Sequence, residues 1–176
     1  RSVYCAAMMT RSRWQVAEQG VTLIELLVVL ALMAVLAATA GPTFMAQQID
    51  WRLRVQAGRL IAAIWTARGT ALKTGLPAIL CPSSGEMCAG SYSDGFAVYG
   101  DSGQLTRIFP PRVGVAVYRR DGKTEQTRAL RWTGDGFADR NQTFLFCAQG
   151  SRNNWSVVVN RVGRPRLVRN WGACPH

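Results

Sequence analysis

One stretch constrains this chain more than any other: VTLIELLVVLALMAVLAATA, Val21 to Ala40, in which the only charge is Glu25. A helix of about 20 apolar residues crosses the hydrocarbon core of a bilayer. Arg11 and Arg13 precede the run. Positive residues stay cytoplasmic, so the amino end is expected inside and the rest outside the inner membrane. An ordinary secretory signal competes with this reading, because Ala37, Ala38 and Ala40 offer small residues where such a signal is cut. Residues 1–20 read as a leader that is removed, with Met8 or Met9 as its start.

The cysteines agree with export. Cys5 precedes the run, and Cys81, Cys88, Cys147 and Cys174 follow it, an even number that suits an oxidising compartment. Four cysteines allow three pairings. Cys81–Cys88 would close a short loop, and Cys147–Cys174 would pin the carboxyl end to an inner strand. Zinc is the weaker reading, because neither pair has the close C-x₂₋₄-C spacing and the single histidine is His176.

The apolar run continues into a second helical segment. Leu53, Ala57, Leu60, Ile64, Ala67 and Ala71 recur at alternating steps of four and three, while Arg52, Arg59, Thr66 and Lys73 repeat every seven on another face. The halves meet at Gly41-Pro42, where proline removes a backbone donor and is expected to kink or loosen the helix. Gly75-Leu76-Pro77 stops it. Short strand-like runs come next between turn residues: 78–81, 96–99, 113–118, 129–132, 143–147, 155–160 and 165–168. The expected class is α+β, one long helix followed by an antiparallel sheet. The segments are a leader at 1–20, an apolar helix at 21–42, an amphipathic half at 43–74 and a sheet domain at 75–176.

Glu25 needs a reason. A carboxylate at the centre of a membrane helix costs about 2.5–3.5 kcal/mol on insertion scales, and near the edge it can reach headgroup water at lower cost. A cut between Gly20 and Val21 would create a cationic amine about one helical turn from Glu25. That amine could neutralise Glu25 of its own chain or of a neighbouring one, and the second pairing would fix one stagger between helices.

Gly20-Val21-Thr22-Leu23-Ile24-Glu25-Leu26 resembles the type III signal of type IV pilins and type II secretion pseudopilins. The resemblance implies that a prepilin peptidase cuts after Gly20 and methylates Val21, and that Glu25 guides entry into a fibre. It also implies that Pro42 is the helix-breaking proline. Val21 departs from the phenylalanine usual at the first mature position. Further along, Ala67-Arg68-Gly69-Thr70-Ala71-Leu72-Lys73, Leu80-Cys81-Pro82-Ser83 with Cys88, Tyr92 to Phe96 and Asp101 resemble the GspH/FimT (FimU-like) minor pilins. That second resemblance implies a type IV pilin fold, with the long helix packed on the sheet and its first half in the membrane. Expected partners are other minor and major pilins, prepilin peptidase and the inner membrane before assembly. The subunit would then be carried outside in the fibre.

Charge adds a further expectation. The chain carries a formal net charge of +11, and from Arg140 to His176 there are six arginines and no acid. Such a one-signed end attracts anions such as nucleic acid or acidic headgroups. Trp155–Asn160, the turn Arg161-Val162-Gly163 and the run Arg164–Arg169 read as a hairpin. In an extended segment Arg164 and Arg166 share a face about 6.5–7 Å apart, near the spacing of successive phosphates on one strand. Arg161 and Arg169 enlarge the patch, and Trp171 could stack on a base or pack over the sheet edge. Gly163-Arg164-Pro165-Arg166 also resembles the GRxR motif of DNA-binding FimT-like minor pilins. That resemblance implies sequence-independent DNA contacts in natural transformation, with a minor pseudopilin of a type II secretion system as the alternative. A solvated hairpin whose arginines pair with acids elsewhere is the plainer reading. No catalytic constellation, metal site or cofactor is expected, and Asp94, Asp101, Asp121 and Asp135 stand in turn sequences.

Overall fold

The computed structural model describes residues 20–84, 87–151 and 153–175, with only the backbone described at 39–43. Apart from Gly20, the expected leader lies outside the described residues, as do Met8 and Met9. The chain forms two compact units, Arg1–Ala40 and Gly41–His176.

In the first unit, helix α1 (Leu23–Thr74) begins. Thr22 caps it: the Glu25 amide donates to Thr22 Oγ1 at 3.3 Å, and the Leu26 amide donates to the Thr22 carbonyl at 3.2 Å. This satisfies amide groups that every helix start leaves without an internal partner. Glu25 occupies the third helical position, where an acid also complements the helix dipole. The side chains described from Val21 to Ala38 are exposed throughout. Among the described residues no helix is long and apolar enough to cross a membrane.

Pro42 lies inside α1, next to the division between the two units. The helical backbone runs through residues 41–43 as one element, although the division between the two units falls at Gly41. A proline removes one backbone bond.

The second unit is built on the rest of α1. Leu53, Ala57, Leu60, Ile64, Ala67 and Ala71 are all fully buried, as the heptad-like spacing requires, with Ala63 beside them. The alanines keep this face shallow, and large residues of the sheets and of the 3₁₀ turn before the second strand fill the space: Tyr92, Phe96, Trp132, Phe144 and Phe146 join the same core cluster. Tyr92 meets Phe144 edge-on at 4.9 Å, and Phe96 stacks on Phe109 at 5.2 Å. Tyr92 donates its hydroxyl to the Leu80 carbonyl at 2.9 Å. Burial pushes its phenol well above the usual range, with Arg140 opposing and Asp139 reinforcing the shift.

Two antiparallel four-stranded sheets contribute. The first has the order β3-β2-β1-β5, from β1 (Ala78–Pro82), β2 (Phe96–Gly100), β3 (Leu105–Phe109) and β5 (Leu130–Trp132). The second has the order β4-β6-β7-β8, from β4 (Ala116–Tyr118), β6 (Gln142–Cys147), β7 (Trp155–Val159) and β8 (Pro165–Arg169). The α+β class and the helix-on-antiparallel-sheet arrangement therefore stand. The strands come as two sheets rather than the single one expected. β3 has no counterpart among the expected runs, and a short 3₁₀ turn at Tyr92–Asp94 is capped by Ser91.

Both bridges read from the sequence are present, Cys81–Cys88 and Cys147–Cys174. The second ties the segment after β8 back to β6, on the face of the second sheet opposite the core.

Candidate nucleic-acid interface

The hairpin β7–β8 is set by register and by one tight turn. Val159 pairs with Pro165, Val158 with Arg166, Val157 with Leu167 and Trp155 with Arg169. The turn is closed by the Gly163 amide donating to the Asn160 carbonyl at 2.8 Å and the Arg164 amide donating to Asn160 Oδ1 at 3.2 Å. Neighbouring loops hold it further. The Arg161 amide donates to Asn141 Oδ1 at 2.8 Å, and the Ala138 amide donates to the Arg161 carbonyl at 2.9 Å.

Gly163 has φ +77° and is buried; a Cβ there would lie 2.7 Å from the Gly136 carbonyl oxygen and 2.8 Å from Trp132 Nε1. Glycine is thus required twice, by backbone conformation and by space. Sequence reasoning finds the bend and misses the packing.

The four predicted arginines separate into different settings. Arg161 and Arg164 are exposed at the turn. Arg166 lies on the outer face of the second sheet, lining a cleft of about 100 Å³ with Val158, Val168 and Trp171. Arg169 points the other way in the alternation of the strand. It lies 3.6 Å from Asp50 of α1 and stacks on Trp155 at 5.7 Å. Trp155 donates from Nε1 to Asp50 at 3.1 Å and takes Arg54 over its ring at 5.7 Å. For Arg169, the plainer expectation of pairing with a distant acid describes what is seen. Its side chain stays half exposed, so the pair is a surface contact of modest strength. Asp50, a helix residue far away in sequence, is the partner that local charge counting overlooks.

Past β8 the chain turns at Asn170, with φ +55°, and crosses the outer face. Ser156 donates its hydroxyl to the Trp171 carbonyl at 2.7 Å, and Asn154 Nδ2 donates to the Gly172 carbonyl at 2.9 Å. Trp171 is 43 % exposed, beside Arg166 and beneath Arg120, whose guanidinium lies 5.3 Å from the ring centre. It packs over the sheet and still offers ring surface to solvent. Arg120 belongs to the β4–β5 connection and was not among the predicted residues.

At the other end of the chain Gly20 and Val21 are exposed, and Glu25 lies in the first turn of α1. The turn aspartates have local work. Asp94 completes the cap of the 3₁₀ turn. Asp121 accepts from the amides of Thr124 and Lys123, and those bonds hold its carboxyl below the usual range. Among the described residues, no group of three or more His, Cys, Asp or Glu could hold a metal ion.

The chain matches the family described as "Type II transport protein GspH" over residues 56–163, and the prokaryotic N-terminal methylation motif over residues 16–41. The first match ends at the turn glycine, before Arg164 and Arg166. A comparison with curated proteins finds no match. Among solved structures the chain is similar to the type IV minor pilin FimU of Pseudomonas aeruginosa strain PAO1, at 16% identity and TM-score 0.52, covering 68% of this chain and 90% of that one. A second crystal form of FimU gives 18% identity and TM-score 0.49, covering 66% and 92%. At that identity the likeness concerns the fold, which is that of the type IV pilins. With the domain and the amino-terminal motif both matched, the chain belongs to the GspH family of minor pilins and pseudopilins.

Proposed function

We propose that this chain is a minor type IV pilin that helps start and cap a fibre, and whose carboxyl-terminal hairpin binds extracellular DNA during natural transformation. The precursor is held in the inner membrane by the apolar run 21–42, amino end in the cytoplasm, until prepilin peptidase cuts after Gly20 and methylates Val21. Glu25 then guides the helix among other minor and major pilins, and the domain is carried outside the membrane. The methylation motif at residues 16–41 supports the processing and assembly steps.

The observation that carries the DNA reading is the hairpin turn. Arg161, Arg164 and Arg166 are exposed around a backbone locked by Gly163 and Asn160. A rigid backbone lowers the entropy lost when its side chains engage phosphate. Arg169, held by Asp50, takes the lesser part.

The test is binding of the full chain, in nonionic detergent, to a labelled DNA duplex at two salt concentrations. Two to four phosphate contacts predict a log–log slope of about −2 to −4. Arg164→Ala/Arg166→Ala should weaken binding and flatten that slope. Equal binding by this variant and the parent would end the DNA reading.

The second reading, a minor pseudopilin of a type II secretion system without a nucleic-acid role, draws on the description of the matched family. It predicts the equal-binding outcome.

A further inference from the structure

A second arginine-lined groove lies close to the hairpin. Arg119, Arg120, Arg128 and Arg140 line it together with Asn141 and Thr143, around a volume of about 230 Å³. No acidic residue is among its lining. Asp139 pairs with Arg140 at 2.6 Å, and Asp121 acts on Arg119 from the neighbouring turn, so part of the charge is balanced. Arg119 Nε is buried and, among the described residues, has no hydrogen-bond partner. The guanidinium groups that line the groove are strong, charge-assisted donors to an anionic oxygen.

The sheet relates this groove to the hairpin. Thr143 on the groove wall pairs with Val158, and Val158 pairs with Arg166. Directly paired residues share a face, so Thr143 and Arg166 stand two strand spacings apart, about 10 Å. Trp171 joins the two regions, with Arg120 over its ring and Arg166 in its cleft.

We propose that this groove is a second phosphate-binding site, and that one nucleic-acid backbone runs across the outer face of the second sheet from the hairpin turn, past Trp171, into the groove. The proposal rests on the DNA reading above and extends it to Arg119, Arg120 and Arg128. The groove supplies guanidinium donors for phosphate oxygens and nothing that distinguishes bases, so the contact is independent of sequence. Arg140, already bonded to Asp139, shapes one wall.

The experiment uses the full chain in nonionic detergent and a labelled DNA duplex at about 50 and 200 mM salt. Arg120→Gln/Arg128→Gln is compared with the parent and with Arg164→Ala/Arg166→Ala, and near-UV circular dichroism checks that tertiary packing is kept. Arg128→Gln alone serves as a variant that leaves the Arg120–Trp171 contact in place. The groove variant should bind about 3–10-fold more weakly at the lower salt, with a slope smaller in magnitude by about 1–2, and the single variant should fall between it and the parent. Parental affinity and slope in the groove variant, with loss in the hairpin variant, would overturn the groove and leave the hairpin reading standing. No binding by the parent removes both. Groove variants that lose affinity for anionic phospholipid vesicles while keeping it for DNA would assign the groove to lipid headgroups and overturn the proposal.

Discussion

At Gly163 the backbone conformation and the packing make the same demand. A φ of +77° disfavours any residue with a Cβ, and the Gly136 carbonyl and Trp132 indole leave no room for one. Gly163→Ala should therefore destabilise the domain by about 2–4 kcal/mol, combining backbone strain with the displacement of a buried neighbour. The midpoint of urea unfolding measures it. An alanine chain that unfolds at the parental midpoint would mean that the turn relaxes freely and that the hairpin is not rigid. Glycine is legible in the sequence as a bend; its contact with Trp132 joins residues far apart in the chain and has no local signature. The same distance hides the Asp50–Arg169 pair, whereas the turn role of Asp121 is readable because its carboxylate and the amides it accepts from lie within three residues.

The elements are legible in proportion to how strongly burial marks them. The amphipathic half of α1 shows a clear period because its apolar face is wholly buried, and strands β2 and β6 carry dense apolar runs. β3 has no such mark because Leu105–Ile108 is exposed at the edge of its sheet, where only Phe109 is buried. With one buried residue, alternation has nothing to report. The split into two sheets is hidden for a related reason: pairing order depends on contacts between distant runs. The disulfides are readable because spacing alone limits them, and they permit an ordering. A bridge spanning 27 residues constrains the unfolded chain more than one spanning 7. In the chain-entropy account, Cys147→Ser/Cys174→Ser should cost about 3–4 kcal/mol and Cys81→Ser/Cys88→Ser about 1 kcal/mol less. Denaturant unfolding of the two double variants checks the order. A reversed order would mean that the segment crossing the outer face is held by its bonds to Ser156 and Asn154 rather than by sulfur.

For the molecule as a whole, Glu25 is where two explanations must be separated. The sequence resemblance makes it a charge partner for a neighbouring subunit, whereas the structure gives it a local place three residues after the Thr22 cap. At that position a Glu or Gln side chain suits the reciprocal half of a capping box, a local role open to any isolated chain. Glutamine tells these roles apart, because it retains the shape of a capping side chain and removes the charge. If the charge pairs with a processed amino terminus, Glu25→Gln should be cut normally after Gly20, keep the domain's unfolding midpoint and fail to enter fibres. The readouts are intact mass of the processed chain and its content in sheared fibre fractions. If the capping role is all that matters, Glu25→Gln should assemble like the parent while Glu25→Ala is impaired. That second pattern would remove the electrostatic register from the proposed mechanism, leaving the hairpin and groove to be judged by their own binding tests.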